Sequence, residues 1–221
     1  MIKNERSPVA PASLAVESQK KNGSYRCEDV ISQLEHDFYG KCYLCEMKPV
    51  FDMEVEHRLP HHNRSILERV FDWNNLFLSC RHCNSVKNSN DYAAGIIDCC
   101  VRDPETLLIQ RLEENKVKVD VTVPNDDEAV RTAKLIEEIF NTTSTGIRSH
   151  GAQARIIELQ LTMNAFYSVV EQLKKNPSNK ILNLKLKGLL AKSSKFSGFT
   201  RAYARLNNIL TSDKKIKIGE R

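Results

Sequence analysis

The residues best suited to chemistry are cysteines in two tight pairs, Cys42-Tyr43-Leu44-Cys45 and Cys80-Arg81-His82-Cys83. A CxxC turn aims two sulfurs at one point, so two such turns can supply four thiolates to one tetrahedral zinc. The 34 residues between Cys45 and Cys80 exceed what a simple zinc ribbon needs, so something must fold between the halves. Seven cysteines in a chain expected to be cytoplasmic argue for metal chemistry over a disulfide framework. Cys27, Cys99 and Cys100 lack the paired spacing and read as small buried hydrophobes.

Inside and just beyond this frame lie residues of a second kind. Glu56-His57 sits on a short strand-like piece, Asn75 opens Asn75-Leu76-Phe77-Leu78-Ser79-Cys80, Asn84 follows Cys83, and Lys87 comes three residues later. These types suit phosphodiester hydrolysis. A neutral imidazole near pH 7 can take the proton of an attacking water. A carboxylate and an amide carbonyl are hard oxygen ligands for Mg²⁺ or Mn²⁺, which can stabilise charge on phosphoryl and leaving oxygens.

The order CxxC, Glu-His, Asn-Leu, CxxC-Asn-x-x-Lys resembles the HNH endonucleases whose ββα-metal active site is framed by a four-cysteine zinc. The resemblance implies that Cys42, Cys45, Cys80 and Cys83 hold a structural zinc and that His57 is the general base. It implies that Glu56 and Asn84 hold the catalytic Mg²⁺ or Mn²⁺, at positions where many members carry Asp and His. Asn75 would tie the loop and orient His57, as groups behind a reacting side chain do. Arg81, His82 and Lys87 stand where phosphate would be met. His61 and His62 read as exposed loop residues, and His36 and His150 as structural.

Outside residues 40–92 the chain resembles the PtuB-like HNH subunits of Septu-type anti-phage systems, including those coupled to retrons. The Asp103-Pro104-Glu105 turn and the Ser194-Lys195-Phe196-Ser197-Gly198-Phe199-Thr200-Arg201 stretch carry that likeness. It implies an ABC-type ATPase partner, and in some systems a retron reverse transcriptase with its RNA and DNA. The chain itself has no G-x-x-x-x-G-K-[ST] loop. DNA is the default substrate, with RNA, including tRNA, as the alternative. A non-catalytic zinc-built nucleic-acid-binding or adaptor subunit is the competing class, and it would have no need of Glu56, His57 and Asn84.

These residues need elements to position them. Val30, Ile31, Leu34 and Phe38 have helical spacing, with Gly40 as a stop. Val50 to Leu59 is strand-like, Ile66 to Phe71 a short helix, and Asn84 to Tyr92 a polar helix carrying Lys87. Thr106 to Arg111 and Val117 to Val123 read as paired strands. Asp126 or Asp127 caps a helix buried through Ala129, Ala133, Ile136 and Phe140. Ile156, Leu159, Met163, Phe166, Val170 and Leu173 form one long apolar stripe ended by Pro177, and Phe196, Phe199, Tyr203, Leu206 and Leu210 form another. The expected fold is α+β: a small ββα-metal core with structural zinc in a mostly helical protein. Its expected parts are an N-terminal arm (1–24), the nuclease core (25–100), a β-hairpin connection (101–125) and a basic helical region (126–221).

Composition narrows the class. With 221 residues, 41% hydrophobic and 28% charged, the chain can build a packed core. No apolar run approaches the roughly 20 residues of a membrane span, and Pro8 and Pro11 break the only mildly apolar stretch near the start. A cytoplasmic, membrane-free protein is expected. From Arg148 to Arg221 there are 15 Lys and Arg against 4 Asp and Glu, although the whole chain carries only +5. Such a basic third is the footprint of polyanion binding or of docking on an acidic partner. The expected docking surface is Arg148 to Leu210, where apolar stripes run beside Lys185, Lys187 and Lys192.

Overall fold

The computed structural model describes residues 1–50, 52–87, 91–143 and 146–209. Within them the protein is mixed α+β, with two separate two-stranded antiparallel sheets. The first sheet pairs β1 (Met53–His57) with β2 (Leu76–Cys80). Three short helices precede or interrupt it: α1 (Ala12–Ser18), α2 (Glu28–Asp37) and α3 (Leu67–Phe71). A single 3-10 turn, Trp73–Asn75, then leads into β2, and α4 (Arg81–Val86) leaves it directly. This β1–β2–α4 unit is the expected ββα arrangement.

The second half begins with α5 (Pro104–Leu107), which runs into the hairpin of β3 (Leu108–Glu113) and β4 (Lys116–Val121). Val117 and Val119 point inward while Lys116, Lys118 and Asp120 face water. Four further helices follow: α6 (Asp127–Asn141), α7 (Gly146–Lys175), α8 (Lys180–Leu189) and α9 (Ser197–Leu206). Asp126 caps α6, its carboxylate accepting the Ala129 N–H at 3.0 Å. Pro104 occupies the first turn of α5, so Thr106 and Leu107 are helical and the strand starts at Leu108. Helix α4 ends at Val86 with Lys87 as its cap, and Leu210 lies outside the described residues.

Three features differ from expectation. The first residues are not a loose arm: Met1, Ile2 and Asn4 are buried, and α1 packs on α2 and α3. Helix α8 falls where no element was expected, because its alternating leucines and lysines do not show a clean helical stripe. The long stripe Ile156 to Leu173 is internal, every one of its named residues being buried. It therefore cannot serve as the docking face. Exposed apolar side chains in the helical half include Ile147, Ile157, Leu161, Ile181 and Leu184, together with Leu206 of the second stripe.

One core runs through both halves, and a buried ionic cluster fastens them. Glu46, next to Cys45, accepts from the Met1 amine at 3.3 Å, Lys41 Nζ at 3.0 Å, Ser197 Oγ at 2.8 Å and the Gly198 N–H at 2.8 Å. Lys41 Nζ also reaches the carbonyls of Lys192 and Ser194. Burial opposes the Glu46 charge, but Lys41 and the amine overrule it and hold its pKa at about 2. The Ser194 to Thr200 stretch thus docks on the first cysteine pair. We expect Lys41→Met to cost roughly 3–5 kcal/mol, the range for removing one partner of a buried pair. Urea unfolding of the variant checks this.

Candidate metal centre and cleft

The ββα unit converges the two cysteine pairs. Cys80 ends β2, Cys83 sits one turn into α4, and the Cys42–Cys45 turn is pinned to β2 by the Tyr43 N–H on the Leu78 carbonyl at 2.9 Å. The sulfurs of Cys42, Cys45, Cys80 and Cys83 are all buried and lie within 4.8 Å of one another, so the group can hold a metal ion. A four-sulfur donor set is what a soft or borderline cation takes. Cys99 is also buried, as a small hydrophobe would be, while Cys27 and Cys100 are half-buried.

Towards the opposite end of this sheet, where His57 pairs with Leu76 while Met53 pairs with Cys80, Glu56, His57, Asn84 and Lys87 line one cavity of about 390 Å³. Glu56 is buried and fully engaged. Tyr43 Oη donates to Oε2 at 2.5 Å, and Lys87 Nζ donates to Oε1 at 2.5 Å. Tyr43 is the second residue of the first cysteine pair, so the Cys42–Cys45 turn directly fixes the cleft carboxylate. Lys87 Nζ also donates to the His57 carbonyl at 3.0 Å.

His57 is held by its backbone neighbours. Its Nε2 lies 3.0 Å from the Val70 carbonyl, which can only accept, so Nε2 carries the proton and Nδ1 the lone pair. Burial pushes its pKa down to about 4 against the pull of the Val70 carbonyl, so the ring is neutral at pH 7. Asn75 supports this carbonyl. Its Nδ2 donates to Arg69 O at 3.0 Å and Leu59 O at 2.9 Å, and its Oδ1 accepts the Leu59 N–H at 2.7 Å. One buried amide thereby clamps both ends of the 59–69 loop, leaving the adjacent Val70 carbonyl to orient His57.

Two other sequence candidates lie elsewhere. His82 turns away from the cavity; its Nε2 meets the Ile139 carbonyl at 2.8 Å, between α4, α6 and α7. Residues two apart on a helix face opposite sides, so His82 and Asn84 cannot share the cleft. Arg81 is largely exposed and pairs with Glu54 at 3.7 Å, further up β1.

Residues not singled out for the cleft also line it. Tyr25 and His61 each stand edge-on to the His57 ring with centroids 4.5 Å away. His61 is half-buried, and its Nδ1 accepts the Arg64 N–H at 2.9 Å. His62 borders the same cavity but is exposed. No spacing rule marks Tyr25 or His61, because a loop and a distant segment bring them there. His36 is exposed on α2 and contacts Asp37 at 3.1 Å, and His150 lies on the first turns of α7.

No family model matches the chain, and no curated protein matches it. Among the described residues no helix is long and apolar enough to cross a membrane.

Proposed function

We propose that the protein is an HNH-type endonuclease that hydrolyses nucleic-acid phosphodiester bonds, with a structural zinc on the four cysteines. The observation that carries the reading is the single cavity lined by Glu56, His57 and Asn84, with His57 locked through Nε2. An adaptor built only around a metal would not need an oriented, neutral imidazole facing a polar cleft.

His57 Nδ1 takes the proton of a water as the water oxygen adds to phosphorus, and the sugar oxygen departs with a proton from solvent. The Val70 carbonyl keeps the ring in the tautomer this needs. Glu56 and Asn84 carry hard oxygens on the same cavity and are the residues that would hold Mg²⁺ or Mn²⁺. Such a cation would stabilise negative charge on the phosphoryl and leaving oxygens.

One observation favours a second reading of the charge. Lys87 already occupies Glu56 Oε1, so its ammonium can itself be the positive group that meets phosphate. The two readings part on dication dependence. With Glu56 and Asn84 as ligands, we expect Asn84→Ala to weaken cleavage in Mg²⁺ and to recover part of it at raised Mn²⁺. Titration of both metals against cleavage rate checks this; unchanged metal dependence removes Asn84 from the ligand set.

The wider role we propose is that of the effector subunit of an anti-phage complex with an ABC-type ATPase. The motif order and the basic C-terminal third support it. DNA is the default substrate and RNA, including tRNA, the alternative, because the motif itself has no residue dedicated to a 2′-hydroxyl.

A further inference from the structure

Arg155 belongs to α7, 75 residues after Cys80 in the chain, yet its Nη2 lies 2.8 Å from the Cys80 sulfur. The side chain is buried, Nη1 donates to the Gly151 carbonyl at 2.8 Å, and among the described residues Nε has no hydrogen-bond partner and no carboxylate pairs with the guanidinium. The approach of α7 is close by construction: a Cβ on Gly151 would lie 2.4 Å from the His82 ring on α4. A buried guanidinium without a carboxylate partner is costly unless an anion stands beside it. Four thiolates around a dication leave a net charge of −2, and a cation at one sulfur compensates it.

We propose that Arg155 is the charge partner of the metal-loaded cysteine centre, and that through it the centre locks α7 onto the ββα unit. The four-cysteine site is then the joint between the cleft and the helical half, as well as a staple within the small core. Groups behind a ligand set tune affinity by about 10- to 100-fold when removed. This inference rests on the zinc reading of the cluster and is independent of the cleavage reading.

The test uses the full chain loaded with zinc and competed against a chromogenic chelator, with no activity readout. Arg155→Met should bind zinc about 10- to 100-fold more weakly, Arg155→Lys should recover part of the loss, and Leu159→Ala, a buried packing change one turn on, should leave zinc affinity near wild type. Hydrogen exchange completes it: stripping zinc from the wild type should deprotect α7 around Gly151 to Leu159. Equal affinity in wild type and Arg155→Met, or an equal loss in Leu159→Ala, overturns the charge-partner role. Unchanged α7 protection after zinc removal overturns the lock. Should Arg155→Met not fold, the comparison of Arg155→Lys with Leu159→Ala decides in the same way. A wild type that binds no zinc fails the metal reading instead.

Discussion

His57→Ala should lower phosphodiester cleavage by about 10²- to 10⁴-fold while leaving zinc content and unfolding midpoint close to wild type. Loss of a positioned base typically costs that much. Among the described residues the side chain makes one hydrogen bond, to the Val70 carbonyl, and its ring packs on Tyr25 and His61. Neither contact reaches the cysteine cluster. Asn75 still clamps the 59–69 loop through three hydrogen bonds of its own. The variant therefore separates chemistry from folding, and its single-turnover rate, read beside its circular dichroism and zinc content, is the check. A folded, zinc-loaded His57→Ala protein that cleaves at the wild-type rate removes His57 from the reaction.

Cys80→Ser should show the opposite signature. Structural zinc contributes folding free energy directly, on the order of 10 kcal/mol in small zinc domains. Cys80 is also the sulfur that Arg155 holds, and it follows Ser79 at the end of β2. Removing it weakens the metal, leaves a buried guanidinium short of its anion, and loosens both α4 and α7. The helical half would be expected from its apolar stripes alone to survive such a loss. The continuous core and the Arg155 contact make the effect spread. Elemental analysis should find one zinc per wild-type chain and much less in Cys80→Ser, and thermal unfolding should shift to lower temperature. Zinc retained at wild-type stoichiometry with an unchanged midpoint would mean that the cysteines do not hold a structural metal.

Short-range patterns carried most of what was legible in the sequence. The two CxxC pairs marked a metal centre, and the alternation of Val117, Val119 and Val121 marked a strand paired by a tight turn. Asp126 marked a helix start, and Gly40, which adopts a left-handed φ of +63°, followed the α2 stop. Glu56, His57 and Asn84 were grouped by the resemblance in motif order, and they line one cavity. Long-range placement was not legible. Arg155 looks like any helical surface charge until α7 is laid on the cysteines. Tyr25 and His61 reach the cleft from segments with no period. Lys41 and Glu46 belong to no motif, and they bury together because the Ser194 to Gly198 turn supplies carbonyl, hydroxyl and amide partners. His82 was misplaced by its neighbours: it sits between two cysteines, but a helix turns successive positions by about 100°, which sends it to the opposite face from Asn84.

Incubation of the zinc-loaded full chain, in molar excess, with supercoiled plasmid and with total RNA tests the central claim most directly. The reactions run in Mg²⁺, in Mn²⁺ and with no added dication. The account predicts scission of phosphodiester bonds in at least one of the two polymers in the presence of Mg²⁺ or Mn²⁺. Both polymers left intact in both metals, by protein shown to be folded and carrying zinc, would contradict it.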